Sequence, residues 1–178
     1  VITAGSNPIV GTTITSSIIC AGGGTSITGT GATTYSWMPG SLSGTTVNVF
    51  PSTTTTYTVT GTNTNGCTAT ALRTVTVNSL PSITATATLN TINCPGSTTL
   101  SATGGVSYTW QPGSLSGSSV TVSPATTTTY TVTGVNANGC ANTATKTITV
   151  VPCASSVLTL TAFVEGYYIG SKDRKSVV

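Results

Sequence analysis

The chain repeats itself, and this repeat constrains the fold more than any other feature of the sequence. Residues 35–67 read YSWMPGSLSGTTVNVFPSTTTTYTVTGTNTNGC, and residues 108–140 read YTWQPGSLSGSSVTVSPATTTTYTVTGVNANGC, at an offset of 73 positions without a gap. This period is longer than that of stacked solenoid repeats, so each copy is expected to fold as a small domain of its own. We place the first domain at residues 8–79 and the second at residues 80–152.

The composition of both copies predicts β structure. Thr makes up about a quarter of the 178 residues, whereas the favoured helix formers Glu, Lys, Met and Gln are nearly absent. Branched side chains such as Thr and Val suit the pleated surface of a sheet, and the Asn-Gly pair before the last strand of each copy signals a hairpin. About seven short strands per copy predict an antiparallel β-sandwich. In the second copy the predicted strands are 82–88, 98–103, 106–111, 119–123, 127–135 and 141–151.

Two aromatic positions recur in both copies. Trp37 and Trp110 lie in the middle of predicted strands, and we expect them to fill the core between the sheets. Tyr57 and Tyr130 begin the penultimate strand, where sandwich domains place a tyrosine corner. The alternative is that the two tryptophans form an exposed sugar-binding platform, but a core position explains their recurrence without further assumptions.

Charge is scarce, which argues against most catalytic and metal sites. Charged residues make up 4% of the chain, and residues 1–164 contain no carboxylate and no imidazole. General acid–base catalysis, His-ligated zinc and carboxylate-caged calcium are therefore not expected there, and we predict no enzyme, cofactor or metal site. Five of the seven charges lie between Glu165 and Lys175, so no basic stripe predicts a nucleic-acid partner. Because no run of 18 apolar residues occurs, we predict no membrane insertion.

The repeated pattern resembles a known module. The order Cys–Gly, Tyr-x-Trp-x-Pro-Gly, Pro, ThrThrThrThrTyr-x-Val and Asn-Gly-Cys over residues 8–152 is similar to the immunoglobulin-like, PKD-like repeats of secreted and cell-surface proteins of Bacteroidetes bacteria. Such repeats occur in large adhesins and in proteins exported by the type IX secretion system. The resemblance implies two tandem immunoglobulin-like domains outside the cell, and it says little about function, because the module serves mostly as spacer and scaffold.

The cysteines indicate disulfides. Cys20, Cys67, Cys94 and Cys140 form two repeated pairs without the short spacing of a zinc site, and small domains in an oxidising compartment commonly carry disulfides. We prefer the intradomain pairs Cys20–Cys67 and Cys94–Cys140, with a Cys20–Cys140 link between the domains as the competing arrangement. Cys153 falls outside the repeat, and as an odd cysteine it is predicted to form an intermolecular bond or to pair with a cysteine in a segment missing from this sequence.

Both ends of the chain have strand-like patterns. Residues 1–7 align with 74–80, the last strand and linker of a repeat, and residues 153–178 open like a further module. One interpretation is a fragment of a longer, processed protein. The other is strand donation, in which an orphan strand completes a sheet of the next copy and produces a head-to-tail polymer. The candidate assembly residues are Val1, Ile2, Thr3, Leu158, Leu160 and Phe163.

Three functions are weighed on these grounds. The first is a structural subunit or stalk of a bacterial surface filament or adhesin, with copies of itself as the main partner. The second is an accessory module that binds polysaccharide, for which Phe50, Phe163, Tyr167 and Tyr168 are the aromatic candidates. An enzyme is disfavoured, since Glu165 and Asp173 are the only carboxylate side chains of the chain.

Overall fold

The protein is all-β over the part of the chain that can be described. A computed structural model describes residues 5–153, which form sixteen strands in four sheets. The first eight strands build one β-sandwich, here called domain 1, and the last eight build a second, called domain 2. The strands of domain 1 lie within residues 8–79 and those of domain 2 within residues 80–152. In residues 5–153 there is no helix of the length and hydropathy needed to cross a membrane.

Domain 1 packs a three-stranded sheet on a five-stranded one. The small sheet has the order β1-β3-β6 and the large one β2-β8-β7-β4-β5. All neighbours are antiparallel except β2, which pairs parallel with the last strand, β8. The first two strands thus lie in different sheets, β1 in the small one and β2 in the large one. This strand order is that of an immunoglobulin-like sandwich. The strands are β1 (Gly11–Ile14), β2 (Ile18–Cys20), β3 (Thr25–Thr30), β4 (Thr34–Met38), β5 (Leu42–Ser43), β6 (Thr46–Val49), β7 (Thr55–Thr62) and β8 (Thr68–Asn78).

Domain 2 repeats this topology, with sheets β9-β11-β14 and β10-β16-β15-β12-β13. The predicted strands of this copy are confirmed to within about two residues at their ends. Two short strands were not predicted, because β10 and β13 have only three and two residues. The strands are β9 (Thr84–Ala87), β10 (Thr91–Asn93), β11 (Thr98–Thr103), β12 (Ser107–Gln111), β13 (Leu115–Ser116), β14 (Ser119–Val122), β15 (Thr128–Val135) and β16 (Ala141–Val151).

Each sandwich has its own core around one tryptophan. Trp37 and Trp110 are both 0% exposed, and each indole N–H donates a hydrogen bond to the carbonyl of the glycine that ends the PGSLSG loop. The acceptors are Gly44 at 2.9 Å and Gly117 at 3.1 Å. The apolar ring thus fills the core while its polar atom is satisfied by the loop. This double role explains why the tryptophan and the loop recur together.

The tyrosine-corner role predicted for Tyr57 and Tyr130 is taken by two other tyrosines. Tyr57 and Tyr130 are buried in the cores, and burial raises the pKa of both hydroxyls. The hydroxyl-to-backbone hydrogen bonds of a tyrosine corner, however, are made by Tyr35 and Tyr108. The Tyr35 hydroxyl bonds the N–H and C=O of Ala32, and the Tyr108 hydroxyl bonds those of Gly105, all at 2.7–2.8 Å. These tyrosines lie three residues after a turn, so the contact is local.

Candidate functional site: the joint between the domains

The segment that joins the two domains is held from both sides. The carbonyl of Asn78, at the end of β8, accepts a hydrogen bond from the Ala21 N–H of domain 1 at 2.9 Å. The next carbonyl, that of Ser79, accepts from the side-chain amide of Asn136 in domain 2 at 3.0 Å. The Pro81 carbonyl accepts from the side chain of Asn142 at 3.0 Å. Because domain 1 bonds the Asn78 carbonyl and domain 2 bonds those of Ser79 and Pro81, the linker is fixed rather than free.

A disulfide crosses this joint. Cys20 at the end of β2 in domain 1 is bonded to Cys140 of domain 2, with 5.6 Å between the two Cα atoms and 120 residues between them in sequence. Cys140 is 0% exposed, and its sulfur lies 4.0 Å from the Asn78 carbonyl oxygen. The disulfide therefore lies directly against the linker. The two domains are connected covalently at two places, the peptide linker and the disulfide.

One asparagine positions Cys140. The Asn136 side-chain oxygen accepts the N–H groups of Asn138 and Cys140, both at 3.0 Å, while its amide holds the linker carbonyl of Ser79. Gly139 occupies the turn with φ of 78°, a left-handed conformation that glycine adopts without steric cost. The tip of the β15–β16 hairpin, residues 136–140, thus holds both the linker and the disulfide through Asn136. We call this turn the clamp of Cys140.

The preferred intradomain pairs of the sequence prediction are wrong, and geometry explains why. Cys67 precedes the first residue of β8, whereas Cys20 pairs with its last residue, Asn78. A strand rises about 3.3 Å per residue, so the two ends of this 11-residue strand are roughly 33 Å apart. A disulfide needs Cα atoms within about 7 Å. The competing Cys20–Cys140 arrangement is the one observed, and Cys67 is a free cysteine.

Cys94 is not the structural equivalent of Cys20, although the sequence pattern aligns them. Cys20 lies opposite Asn78 in the parallel pair with β8, and the residue in that register in domain 2 is Asn93, opposite Val151. Cys94 lies one residue further, and a one-residue shift turns a side chain to the other side. It is bonded to Cys153, with 59 residues between them. The prediction of an intermolecular Cys153 bond is therefore wrong.

The free Cys67 lies in a copy of the Cys140 clamp. The Asn63 side-chain oxygen accepts the N–H groups of Asn65 and Cys67, both at 3.0 Å, and its amide donates to the Ser6 carbonyl at 2.9 Å. The Cys67 thiol lies 3.4 Å from the Gly5 carbonyl oxygen. Residues 5–7 thus run past domain 1 as 78–80 run past domain 2. They form no strand there.

Sequence reasoning identified the cysteines but missed the asparagines that orient them. The signal was present, because the hairpin reads Asn-Thr-Asn-Gly-Cys in one copy and Asn-Ala-Asn-Gly-Cys in the other. The first asparagine of such a turn commonly accepts backbone N–H groups two to four residues ahead. Its recurrence together with the cysteine, and not the Asn-Gly pair alone, marked the functional turn.

A second feature is a shallow groove of about 320 Å³ on domain 1. Among its lining residues Phe50 is 74% exposed, and the Ser26 hydroxyl donates a 2.6 Å hydrogen bond to the side-chain oxygen of Asn48. Domain 2 has Ser123 at the position of Phe50 and Ser97 at that of Gly24, over which the Phe50 ring lies. The aromatic ring beside this groove is therefore a feature of domain 1 that domain 2 does not repeat.

The remaining predicted residues lie outside the part of the chain that the structure describes. The candidate assembly strands and the aromatic and acidic residues of the C-terminal segment fall in residues 1–4 and 154–178. Within residues 5–153, His, Cys, Asp and Glu side chains form no group of three that could hold a metal ion.

Comparisons with known proteins find similarity to solved structures alone. No family model and no curated protein matches it. Three similar solved structures are the N-terminal domains of the outer capsid protein Hoc of bacteriophage RB49 (19% identity, 80% of this chain, TM-score 0.41), a Ca²⁺-stabilised ice-binding adhesin of an Antarctic bacterium (21%, 80%, 0.43), and the mouse nectin-like molecule 4 ectodomain Ig1–Ig3 (16%, 84%, 0.35).

The chain spans less than two thirds of each of these structures, namely 59%, 48% and 66% of their lengths. The immunoglobulin-like assignment rests on the sheet order of the two domains themselves.

Proposed function

We propose that this chain is a structural segment of an extracellular protein, a stalk or subunit of a bacterial surface adhesin or filament, in which immunoglobulin-like domains are locked end to end. The Cys20–Cys140 disulfide carries the proposal, because a bond between domains resists bending and pulling at the joint. Disulfides persist mainly in oxidising compartments, which supports a location outside the cytoplasm. The scarcity of charge favours close packing of many copies, because buried charges are costly to desolvate.

Strand donation between copies is the finer form of this proposal, and the described sheets do not favour it. Domain 1 contains its own last strand β8, and domain 2 contains its own last strand β16, each bonded along one side by a penultimate strand and at the end by a parallel one. Within residues 5–153 neither sandwich has a gap between two neighbouring strands into which a donor strand would insert. We therefore base end-to-end assembly on the joint and its disulfide.

The joint is tested by small-angle X-ray scattering of the oxidised chain and of the double variant Cys20→Ser/Cys140→Ser. We expect the wild type to scatter as one narrow set of domain arrangements and the variant to show a broader distribution of maximum dimensions. The variant Cys94→Ser/Cys153→Ser is the matched control, since it removes a disulfide without touching the joint. Equal profiles for all three proteins would show that the disulfide does not lock the domains.

The location is tested separately with antibodies raised against the chain. We expect them to label intact, unpermeabilised cells of the source organism, or extended structures on those cells seen by negative-stain electron microscopy. Labelling that requires cell lysis would contradict an extracellular role, whatever the rigidity of the joint.

Binding of polysaccharide by domain 1 is a second candidate, favoured by the groove beside Phe50. An exposed aromatic ring next to hydroxyl and amide groups is the kind of surface on which a sugar ring stacks. In affinity gels cast with soluble polysaccharides, Phe50→Ser, which installs the residue of domain 2, is expected to abolish any retardation. The control Leu72→Thr replaces another exposed apolar residue by its domain 2 counterpart and is expected to leave retardation unchanged. Equal migration of the wild type in gels with and without polysaccharide would end this candidate.

A further inference from the structure

We propose that Cys67 is one half of a second interdomain disulfide, and that its partner is a cysteine at the Cys20 position of another immunoglobulin-like domain of this kind, docked on the N-terminal end of domain 1. This inference rests on the proposed function, because it extends the same locked joint by one domain. It assigns a specific covalent partner to the free thiol found among the five cysteines.

The first observation is that the molecule contains this site in its bonded form. Cys140 is the counterpart of Cys67 at the offset of 73, and it is bonded to Cys20 of the domain before it. The clamp that orients each cysteine is the same. Asn63 and Asn136 accept the cysteine N–H at the same distance of 3.0 Å. The Cys67 thiol of domain 1 therefore faces a position equivalent to the one that Cys20 occupies beside Cys140 of domain 2.

The second observation concerns the chain path beside the thiol. The Asn63 amide holds the Ser6 carbonyl at 2.9 Å, and the Asn136 amide holds the Ser79 carbonyl of the interdomain linker at 3.0 Å. The carbonyl next to Cys67 belongs to Gly5, and the one next to Cys140 belongs to Asn78. Residues 5 and 6 thus occupy the path of a linker, and Asn78, at the Gly5 position, is the residue paired with Cys20.

The bond forms by ordinary thiol oxidation. The Cys67 thiolate attacks a mixed disulfide on the incoming cysteine, or the reverse, and a low-molecular-weight disulfide such as oxidised glutathione takes up the two electrons. Two S–H bonds are lost, one S–S bond forms, and two glutathione thiols leave with the protons. Cys67 is only partly buried, whereas the bonded Cys140 is fully buried.

The register of the partner cysteine sets the specificity. Cys20 lies opposite the last residue of β8, and domain 2 has Asn93 in that register, with Cys94 one residue further and committed to Cys153. A domain of the domain 1 type is therefore expected to link to Cys67, and one of the domain 2 type is not. This difference supplies a matched control from within the chain.

The test extends the whole chain by one domain. A copy of residues 5–78 is placed before Ser6, so that its Asn78 takes the position of Gly5, and the protein is refolded in a glutathione redox buffer. Non-reducing peptide mapping is expected to show Cys20 of the added copy bonded to the original Cys67, with the single free thiol moved to Cys67 of the added copy. Reactivity of the original Cys67 with iodoacetamide in the folded, extended protein would overturn the proposal.

Two variants keep the result interpretable. Cys67→Ser in the original domain is expected to leave Cys20 of the added copy free. In a second version the added domain is a copy of residues 78–151, whose Cys94 is free because Cys153 is absent, and it is expected not to link unless the thiol is moved into register by Asn93→Cys with Cys94→Ser. Linkage without these substitutions, or none with them, would contradict the register argument. Loss of the Cys20–Cys140 bond in the parent chain would instead contradict the proposed function.

Discussion

Domain 1 and domain 2 share a fold and the same type of core, but the end of the second strand is held by a different disulfide in each domain. In domain 2 the end of β10 is tied through Cys94 to Cys153, two residues after the last strand. In domain 1 the end of β2 is tied through Cys20 to the hairpin of the next domain, which holds the residues directly after β8. Domain 2 thus has an intradomain disulfide at this point, whereas the disulfide of domain 1 ties it to the neighbouring domain.

The two domains also differ at their edges more than in their interiors. In domain 1 the Arg73 guanidinium on β8 donates to the hydroxyl and the carbonyl of Thr12 on β1, at 2.9 and 2.5 Å, and so joins the two sheets. Domain 2 has Lys146 at that position. The groove beside Phe50 is a further difference of domain 1. The comparison shows that the repeat preserves the buried core and the hairpin asparagine and cysteine, and varies residues outside the core such as Arg73 and Phe50.

The largest expected effect tests whether the two cores are equivalent. Trp37→Ala and Trp110→Ala are each expected to cost roughly 3–5 kcal/mol of unfolding free energy, because each removes a fully buried ring and the hydrogen bond to the loop glycine. Chemical denaturation followed by circular dichroism measures this loss, with the exposed Val106→Ala as the control. A variant within about 0.5 kcal/mol of the wild type would remove that tryptophan from the core.

The next effect tests the two routes of closure. Cys153→Ser opens a covalent loop of 59 residues within domain 2, and Cys20→Ser opens one of 120 residues that spans both domains. In the chain-entropy model these losses are about 4–5 kcal/mol. Hydrogen-exchange mass spectrometry, which resolves the domains, is expected to show faster exchange in domain 2 for the first variant and in domain 1 for the second. If Cys20→Ser affects neither domain, closure through the neighbour is not stabilising.

The smallest effect tests how the two domains seat the same tyrosine. Domain 1 has Gly29 and Ala32 around Tyr35, and domain 2 has Ala102 and Gly105 around Tyr108. A Cβ at Gly29 would lie 2.5 Å from the Tyr35 ring, so Gly29→Ala is expected to cost about 1–3 kcal/mol by overpacking.

The second substitution Ala32→Gly recreates the domain 2 pair and is expected to recover part of that loss. A double-mutant cycle in urea measures the coupling. Strict additivity of the two changes would mean that the glycine and alanine positions are independent.

Much of the fold was predictable because strand formation here depends on local pattern. Alternating Thr and Val, the Asn-Gly turns and the repeated Tyr-x-Trp marked the long strands within two residues, and the buried tryptophans followed from their place in those strands. The two-residue strand β13 escaped because such a segment carries no periodicity and forms only by pairing with Trp110 and its neighbour.

The amino-acid sequence by itself determined that there are two copies of one all-β unit, and it placed the strands and the turns. Only the tertiary structure decided which cysteines meet. That choice depends on the end of the sandwich at which each cysteine lies and on a one-residue difference in register between Cys20 and Cys94. Both are properties of strand pairing over more than fifty residues, and no local pattern records them, because a sheet brings together residues that the chain keeps far apart.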